Sequence, residues 1–370
     1  MNDIIDSLIN GAKILKNRAK NISIHTGQHI AKQKSGNDGM ILPMSSGARE
    51  SAAFLPKKAS KQIYKIVPVP TVRLWGTQRL AGLLHLEQMN QPYGEVILAS
   101  AMDTLGNGGT SIDGQPFSEF YSEHRKDFFG LKSETFPLRV NLIDTSQPLS
   151  VQVHPDRRIT KQFGLKQGVN EFWFVLEAEK DSTIEIGHKA KDVEQISKAI
   201  KDGSLEEFLQ YVPVAIGDYF FLRPGTLHAI GKGILVYELT YNIDMTYRIY
   251  DYDRINEVTN TKRELHIDNA LTVLSFPQEY SINSLPITYE DNQFNETVLI
   301  NEEDVFTVKR WKVKDGAIIN VDSFYLCTVI EGEGWLNGEY VCQYDTWLIP
   351  LTCKEIYVKG EMTLIAATYR

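Results

Sequence analysis

The sequence predicts a mainly β protein composed of two related barrels or sandwiches. From about residue 61 onward, short apolar segments of four to eight residues are rich in β-branched and aromatic side chains and are bounded by Gly, Pro, Asn or Asp. Few helical stretches separate them, which favours a barrel or sandwich over a parallel βαβ sheet. An apolar strand between Asp and Pro occurs at 218–224 and again at 345–350, which suggests that the two halves are related.

The composition is that of a globular protein and excludes several other classes. The chain has 370 residues, a net charge of −8 and 42% hydrophobic residues, so it can bury a large core and is not disordered throughout. The acidic balance argues against a nucleic-acid partner. No apolar run approaches the ~18 residues that span a bilayer, and Asp3 and Asp6 stand where a secretory signal carries positive charge. With three cysteines and no CxxC pair, we expect a soluble, reduced, cytoplasmic protein without a membrane partner.

The elements follow in order along the chain. Residues 1–20 have the apolar spacing of a helix, and residues 32–60 are polar and small, as in a linker or wrapped arm. Two helical insertions are predicted at 117–130 and 192–212, and after about residue 290 the chain consists of strands only. We therefore expect three parts: an N-terminal helical extension with linker (1–60), a larger β domain with helical insertions (61–287) and a smaller β domain (288–370).

The first candidate metal motif lies in the segment PLSVQVHPD, residues 148–156. Side chains alternate along a strand, so Gln152 and His154 project from the same face, where an amide oxygen and an imidazole can share one metal ion. Pro155 ends the strand directly afterwards. Taken alone, this motif is explained at least as well by a histidine at a strand end that binds a backbone carbonyl.

A second motif, GDYFFLRPGTLHAIG at 217–231, favours the metal. It combines a strand, a Pro-Gly turn and His228, with the spacing usual in the second half of a cupin metal motif. Glu171, at the start of another strand, is a third candidate ligand. A mixed set of Gln, Glu and two His suits Zn²⁺ or another borderline divalent ion. An Fe²⁺ dioxygenase is an alternative that this set disfavours slightly. The second β domain has Glu355 at the position matching His228, so we expect no metal there.

Four segments resemble consecutive signatures of the class I mannose-6-phosphate isomerases of the short bacterial type, and the likeness runs from about residue 75 to the C-terminus. The segments are PLSVQVHPD, NEFWFVL, PGTLHAIGKGILVYEL and DMTYRIYDYDR. The resemblance implies a zinc-dependent double cupin, two jelly-roll barrels, that interconverts mannose 6-phosphate and fructose 6-phosphate. It also implies a sugar-phosphate ligand, one Zn²⁺ per chain and a monomer or weak homodimer. By residue, it implies metal ligands at Gln152, His154, Glu171 and His228, and catalytic residues at Arg248, Glu238 and Asp244.

The chemistry of this reaction accounts for such residues. Aldose–ketose isomerisation moves a proton between C1 and C2 through a cis-enediol or enediolate, whose negative charge a divalent metal can spread. Arg248 can supply a fixed positive charge or assist ring opening. Glu238 and Asp244 are both candidates for the base, and the sequence does not choose between them. Without the neighbouring ligand pattern, Arg248 would be interpreted as part of a surface ion-pair cluster.

Two positions depart from the family pattern, because the family usually has lysine where this chain has Asn141 and Val169. Losing two cations is expected to weaken the binding of a phosphate dianion, since charge-assisted hydrogen bonds contribute ~1.5–3 kcal/mol each. Asn141 and Ser150 remain as candidate substrate-binding residues. The alternative functions are a weakened paralogue that binds sugars or regulates, and an isomerase of a different sugar. Five cations are candidates to replace the missing lysines: Arg139, Arg157, Arg158, Lys166 and Arg223.

Overall fold

The structure is a computed structural model that describes residues 40–43, 63–86, 92–102, 109–163, 166–256, 260–278 and 285–369. All of these lie in one unit, Asn37–Arg370. The helix predicted over residues 1–20 lies outside the described residues, as does most of the predicted linker. Within that linker, residues 40–43 form a strand.

Strands dominate the described part of the chain. Those before residue 280 are β1 (Met40–Pro43), β2 (Tyr64–Val67), β3 (Val69–Thr77), β4 (Tyr93–Ala99), β5 (Ser111–Ile112), β6 (Gln115–Pro116), β7 (Leu138–Asp144), β8 (Val151–Val153), β9 (Glu171–Ala178), β10 (Thr183–His188), β11 (Leu209–Pro213), β12 (Tyr219–Leu222), β13 (His228–Ile230), β14 (Ile234–Tyr241), β15 (Tyr247–Tyr250), β16 (Ile255–Asn256) and β17 (Thr261–Lys262). Those after it are β18 (Ile287–Glu290), β19 (Phe294–Glu302), β20 (Phe306–Val313), β21 (Gly316–Asn320), β22 (Tyr325–Gly332), β23 (Gly334–Leu336), β24 (Glu339–Val341), β25 (Thr346–Ile349), β26 (Glu355–Lys359) and β27 (Met362–Thr368).

The described helices are short. They are α1 (Arg79–Leu83), α2 (Phe117–His124), α3 (Arg157–Thr160), α4 (Val193–Asp202) and α5 (Ile267–Val273), with 3₁₀ turns at Lys161–Phe163 and Leu205–Phe208. The helix predicted over 192–212 ends early because Gly203 adopts a left-handed conformation and caps α4, after which the chain enters β11. The helix predicted over 117–130 likewise stops at His124. Among the described helices, none is long and apolar enough to cross a membrane.

Two sheets of the first half contain the strands that carry the candidate metal ligands. A six-stranded sheet has the order β12-β9-β14-β7-β4-β3, and a five-stranded sheet has the order β11-β10-β13-β8-β15. Apolar side chains from both sheets, including Trp173 of β9 and Ile186 of β10, share one buried cluster. The two sheets therefore pack face to face as a β-sandwich.

The second half is built in the same way. A ten-stranded sheet, β1-β18-β19-β20-β27-β22-β25-β2-β5-β6, and a four-stranded sheet, β21-β26-β23-β24, enclose a second apolar core that includes Trp311 and Trp347. The large sheet also includes β2, β5 and β6, which lie in the region predicted from the sequence to belong to the first β domain. A third core contains aromatic residues of both halves, among them Phe117, Phe136 and Phe324.

Candidate active site

Three potential metal ligands meet inside the first sandwich. His154 follows directly after β8, Glu171 begins β9 and His228 begins β13. All three are buried, and one ligand atom from each lies within 4.8 Å of the others. Among the described residues this is the one such group of His, Cys, Asp and Glu side chains. The structure thus brings together three of the four ligands that the resemblance implies.

Local backbone structure places His228 against the other ligand strand. β13 pairs with β8 so that His228 lies opposite Gln152. The turn before β13 requires a glycine, because Gly225 has a positive φ of +81° and a Cβ there would lie 2.6 Å from the carbonyl oxygen of Val273. Nε2 of the Gln152 amide lies 3.5 Å from Nε2 of His228. The fourth implied ligand is therefore adjacent to the other three.

The hydrogen bonds of the two histidines fix which ring nitrogen faces the site. Nδ1 of His154 lies 2.8 Å from the carbonyl oxygen of Met245, and Nδ1 of His228 lies 2.8 Å from that of Thr226. A carbonyl only accepts, so each Nδ1 carries the proton and donates it. In the neutral ring, Nε2 then presents its lone pair to the centre of the cluster, which is the usual orientation of metal-binding histidines.

Unpartnered buried atoms show that this group fits a divalent metal ion. Nε2 of His154 lies 2.8 Å from Oε1 of Glu171, yet this Nε2 makes no hydrogen bond, and neither does Oε2 of Glu171. Buried polar atoms normally have partners, because leaving them without one is costly. Two imidazoles and one carboxylate, with lone pairs converging, form a donor set that a borderline divalent cation satisfies.

The electrostatics of the cluster follow from burial and proximity. Burial alone would raise the pKa of Glu171, but the neighbouring His154 and His228 outweigh it and hold this pKa at about 2. Burial lowers the pKa of His228 to about 4. Burial also opposes the charged form of His154, but Glu171 overcomes it and raises the pKa of His154. Glu171 is thus an anion in the pH range where a metal ion would bind.

Glu238 lies beside this cluster and is held by two hydrogen bonds. Asn141 donates from Nδ2 to Oε2 at 2.6 Å, and Trp173 donates from Nε1 to Oε1 at 3.2 Å. Burial, followed by repulsion from the Glu171 carboxylate, raises the pKa of Glu238 to about 8. A carboxyl group that titrates near neutral pH can both take up and return a proton.

A cavity of about 830 Å³ opens above the cluster, and Glu238 and Arg248 are part of its wall. Arg248 on β15 donates from Nε to Oγ of Ser150 at 3.2 Å and from Nη1 to the carbonyl oxygen of Glu264 at 2.8 Å. Asp244 also lines the cavity but is exposed. Seven of the nine site residues proposed from the sequence line this cavity, and His228 lies directly beneath it as part of the ligand cluster.

Asn141 lies in the interior, next to Glu238. It is completely buried under Glu238 and is not among the residues that line the cavity. Val169, the other position where the family usually has lysine, is also buried and away from the cavity wall. Both side chains are thus packed into the protein interior.

The cavity wall carries arginines that sequence reasoning missed. Of the five cations considered as replacements for the lysines, Arg139 lines the cavity, whereas Lys166 and Arg223 pair with Asp304 and Glu302 at the surface. Arg158 likewise pairs with Asp156, and Arg157 is exposed. The additional cavity arginines are Arg73, Arg254 and Arg263.

Arg254 and Arg263 share the buried carboxylate of Asp251, and the guanidinium of Arg263 lies 5.1 Å from the centre of the Trp75 ring. These two cations lower the pKa of Asp251 against the effect of its burial. Two positive charges on one negative charge leave this part of the wall cationic. No local pattern in the sequence marks Arg263, because it reaches the wall from the loop after β17.

Comparisons with known proteins agree with this geometry. Residues 63–173 match the model for the phosphomannose isomerase type I catalytic domain, and residues 295–369 match that for the mannose-6-phosphate isomerase cupin domain. A mannose-6-phosphate isomerase from Streptococcus mutans is 32% identical over 304 residues, covering 80% of this chain and 94% of the relative. The chain belongs to the mannose-6-phosphate isomerase family. The isomerase ManA from Bacillus subtilis is 33% identical over 305 residues, covering 79% of this chain and 94% of that protein.

Solved structures of the family confirm the fold. The crystal structure of the mannose 6-phosphate isomerase from Bacillus subtilis superposes with a TM-score of 0.77 at 28% identity, covering 83% of this chain and 99% of that one. A zinc-bound mannose 6-phosphate isomerase has the same fold, with a TM-score of 0.65 at 14% identity, covering 84% of this chain and 100% of that one. The family resemblance and the double-cupin fold class predicted from the sequence are both confirmed.

Proposed function

We propose that this protein is a metal-dependent isomerase that interconverts mannose 6-phosphate and fructose 6-phosphate through a cis-enediol or enediolate. The observation that carries the proposal is the convergence of three buried ligands, an acid–base carboxyl and an arginine on one cavity. Membership of the family supports the substrate. We propose that this chemistry takes place in the cytoplasm. Because the residues of the site come from one chain, we also propose that the reaction needs no partner subunit.

We propose Zn²⁺ as the metal, held by His154, Glu171 and His228 with Gln152 as a further ligand. The two imidazole nitrogens and the carboxylate suit this ion, and the zinc-bound relative supports the choice. When bound, the ion supplies a positive charge that polarises the substrate oxygens and stabilises the developing enediolate.

Glu238 is the better placed of the two candidate bases. It is buried next to the ligand cluster and its pKa is about 8, whereas Asp244 is exposed at the cavity wall. In the forward direction, Glu238 takes the proton from C2 and returns it to C1, while a second proton passes from O2 to O1. The C2–H bond breaks and a C1–H bond forms, so the reaction is balanced without another reactant. Asp244 then has the role of an acidic group that contacts the sugar.

Arg248 supplies a fixed positive charge at the wall of the same cavity. Its hydrogen bonds to Ser150 and to the Glu264 carbonyl oxygen hold the guanidinium in one orientation, and a positive charge held in advance stabilises an anionic transition state. Ser150 and the arginine-rich wall provide hydrogen-bond donors for the phosphate. The cations at Arg139 and Arg263 therefore compensate for the two family lysines that this chain lacks.

The test is a coupled assay of fructose 6-phosphate formation from mannose 6-phosphate, with the metal content of the same sample measured. We expect turnover within the ordinary enzyme range of ~1–10³ s⁻¹ in protein that carries metal. Metal-loaded protein that binds mannose 6-phosphate without converting it would instead identify a sugar-phosphate binding paralogue. Conversion of another sugar phosphate, with none of mannose 6-phosphate, would point to a different substrate.

A further inference from the structure

A row of three polar side chains crosses three adjacent strands below the cavity. In the β14–β7 ladder Glu238 lies opposite Asn141, and in the β14–β9 ladder it lies opposite Trp173. Directly paired residues of neighbouring strands project on the same face of a sheet. Asn141 and Trp173 therefore reach the Glu238 carboxyl group from its two sides.

The two neighbours satisfy one carboxyl oxygen each. Nδ2 of Asn141 donates to Oε2 and Nε1 of Trp173 donates to Oε1. Asn141 is 0% exposed and Trp173 is 1% exposed, and neither is among the residues that line the cavity, whereas Glu238 is. Both donors thus act on Glu238 from within the protein, and substrate reaches only the carboxyl group itself.

The asparagine is not explained by packing alone. The structure turns the NH₂ group of Asn141 to Glu238, where Nδ2 donates to Oε2 at 2.6 Å. Its Oδ1 is then buried without a hydrogen-bond partner, which destabilises the folded protein. A leucine of similar volume would avoid this cost but would leave Oε2 of Glu238 without its donor. The side chain at position 141 is therefore accounted for by what it does to Glu238.

Trp173 also connects Glu238 with the ligand cluster. Its ring meets the His228 ring edge to face, with centroids 5.5 Å apart and an interplanar angle of 76°. One rigid side chain thus contacts a proposed metal ligand and donates to the proposed acid–base group. The indole thus packs between these two groups.

We propose that Asn141 and Trp173 are positioning residues that hold the Glu238 carboxyl group in the orientation that proton transfer between C1 and C2 requires. This inference rests on the function proposed above. With a donor at each oxygen, the carboxyl group cannot rotate freely, and it is held where it lines the cavity. Misplacing a reacting group slightly costs large factors in rate without much change in substrate binding.

The experiment compares Trp173→Phe and Asn141→Leu with the wild-type protein, using mannose 6-phosphate and its C2-deuterated form. We expect kcat to fall roughly 10–100-fold while KM stays within about twofold and metal content is unchanged. The deuterium isotope effect on kcat should increase, because proton transfer becomes the slow step. A loss of packing alone would not change that isotope effect.

Trp311→Phe is the matched control, because Nε1 of this buried tryptophan donates to Glu296 at 2.9 Å in the C-terminal half. Equal effects of Trp173→Phe and Trp311→Phe on kcat and the isotope effect would overturn the inference, as would a loss of activity that parallels a loss of metal. Asn141→Ser provides the same comparison if Asn141→Leu does not fold. A wild-type protein without isomerase activity would contradict the proposed function, whereas an active wild type with unaffected variants contradicts only the positioning role.

Discussion

Replacing Arg248 by alanine tests the arginine of the site with little disturbance of the fold. The backbone of Arg248 exchanges hydrogen bonds with His266, since its N–H donates to the imidazole Nδ1 and its carbonyl accepts from the N–H of residue 266. These bonds do not involve the guanidinium, so β15 should keep its place in Arg248→Ala. The side chain is half-buried, and burial lowers its pKa, although the group stays charged at neutral pH.

The magnitude follows from the contacts of the guanidinium. Its hydrogen bonds to Ser150 and to the Glu264 carbonyl oxygen are present without substrate, so the charge is already oriented when the enediolate forms. Removing one such preorganised donor from an active site costs about 10²–10³ in kcat, or roughly 2.7–4 kcal/mol. We therefore expect kcat of Arg248→Ala to fall at least ~10²-fold. Arg248→Lys keeps the charge without the planar fork and should recover only part of the loss.

The assay is fructose 6-phosphate formation at saturating mannose 6-phosphate, with metal content measured in parallel. Arg223→Ala is the matched control, because this exposed arginine pairs with Glu302 at 3.0 Å at the surface and does not line the cavity. Its kcat should be unchanged. A kcat of Arg248→Ala within about threefold of wild type, at full metal content, would refute the reasoning and leave Arg248 in a surface ion-pair cluster.

Three further predictions concern the metal, the replaced lysines and pH. His154→Ala and His228→Ala should each lose the metal, as measured by elemental analysis. Full metal occupancy in both variants would contradict the proposed set of metal ligands. Asn141→Lys should lower kcat for mannose 6-phosphate, because the ammonium would face the buried Glu238 carboxyl and not the cavity; a raised kcat/KM would show that position 141 contacts the phosphate. Burial, with Glu206 nearby, raises the pKa of Glu185 to about 7, so the folded state holds a proton that the unfolded chain releases above about pH 4.5. Glu185 should thereby contribute a fall of about 3 kcal/mol in the free energy of unfolding as pH rises from about 4.5 to about 7. In urea denaturation, Glu185→Gln should make the pH dependence shallower by about this amount, and an identical pH dependence in the variant would contradict the assignment.

The sequence was sufficient for the fold class, and it indicated the residues that the structure brings together in the candidate metal site. Both depend on local patterns, since alternation along β8 puts Gln152 and His154 on one face, and the Pro-Gly turn before β13 returns His228 to them. The apolar spacing was a less reliable guide to where the helices end. At 192–212 the apolar spacing continues past Gly203, but the left-handed cap stops α4 and the next segment pairs with β10.

The surroundings of the ligands could not be predicted, because they depend on which strands become neighbours. Asn141, Glu238 and Trp173 are far apart in sequence and form a row only through the β7-β14-β9 ladders. Arg263 reaches the cavity by sharing Asp251 with Arg254, a contact that no spacing in the sequence indicates. Asn141 was interpreted from the sequence as a substrate contact, and its burial and its hydrogen bond to Glu238 become visible only in the fold.

The most direct measurement is a metal titration of the isomerase reaction. Protein stripped with a chelator is titrated with Zn²⁺ while bound metal and conversion of mannose 6-phosphate to fructose 6-phosphate are followed together. The proposed site predicts that turnover rises in proportion to bound metal and reaches its plateau at about one ion per chain. Full turnover in the metal-free protein, or about one bound ion per chain with no conversion, would contradict it.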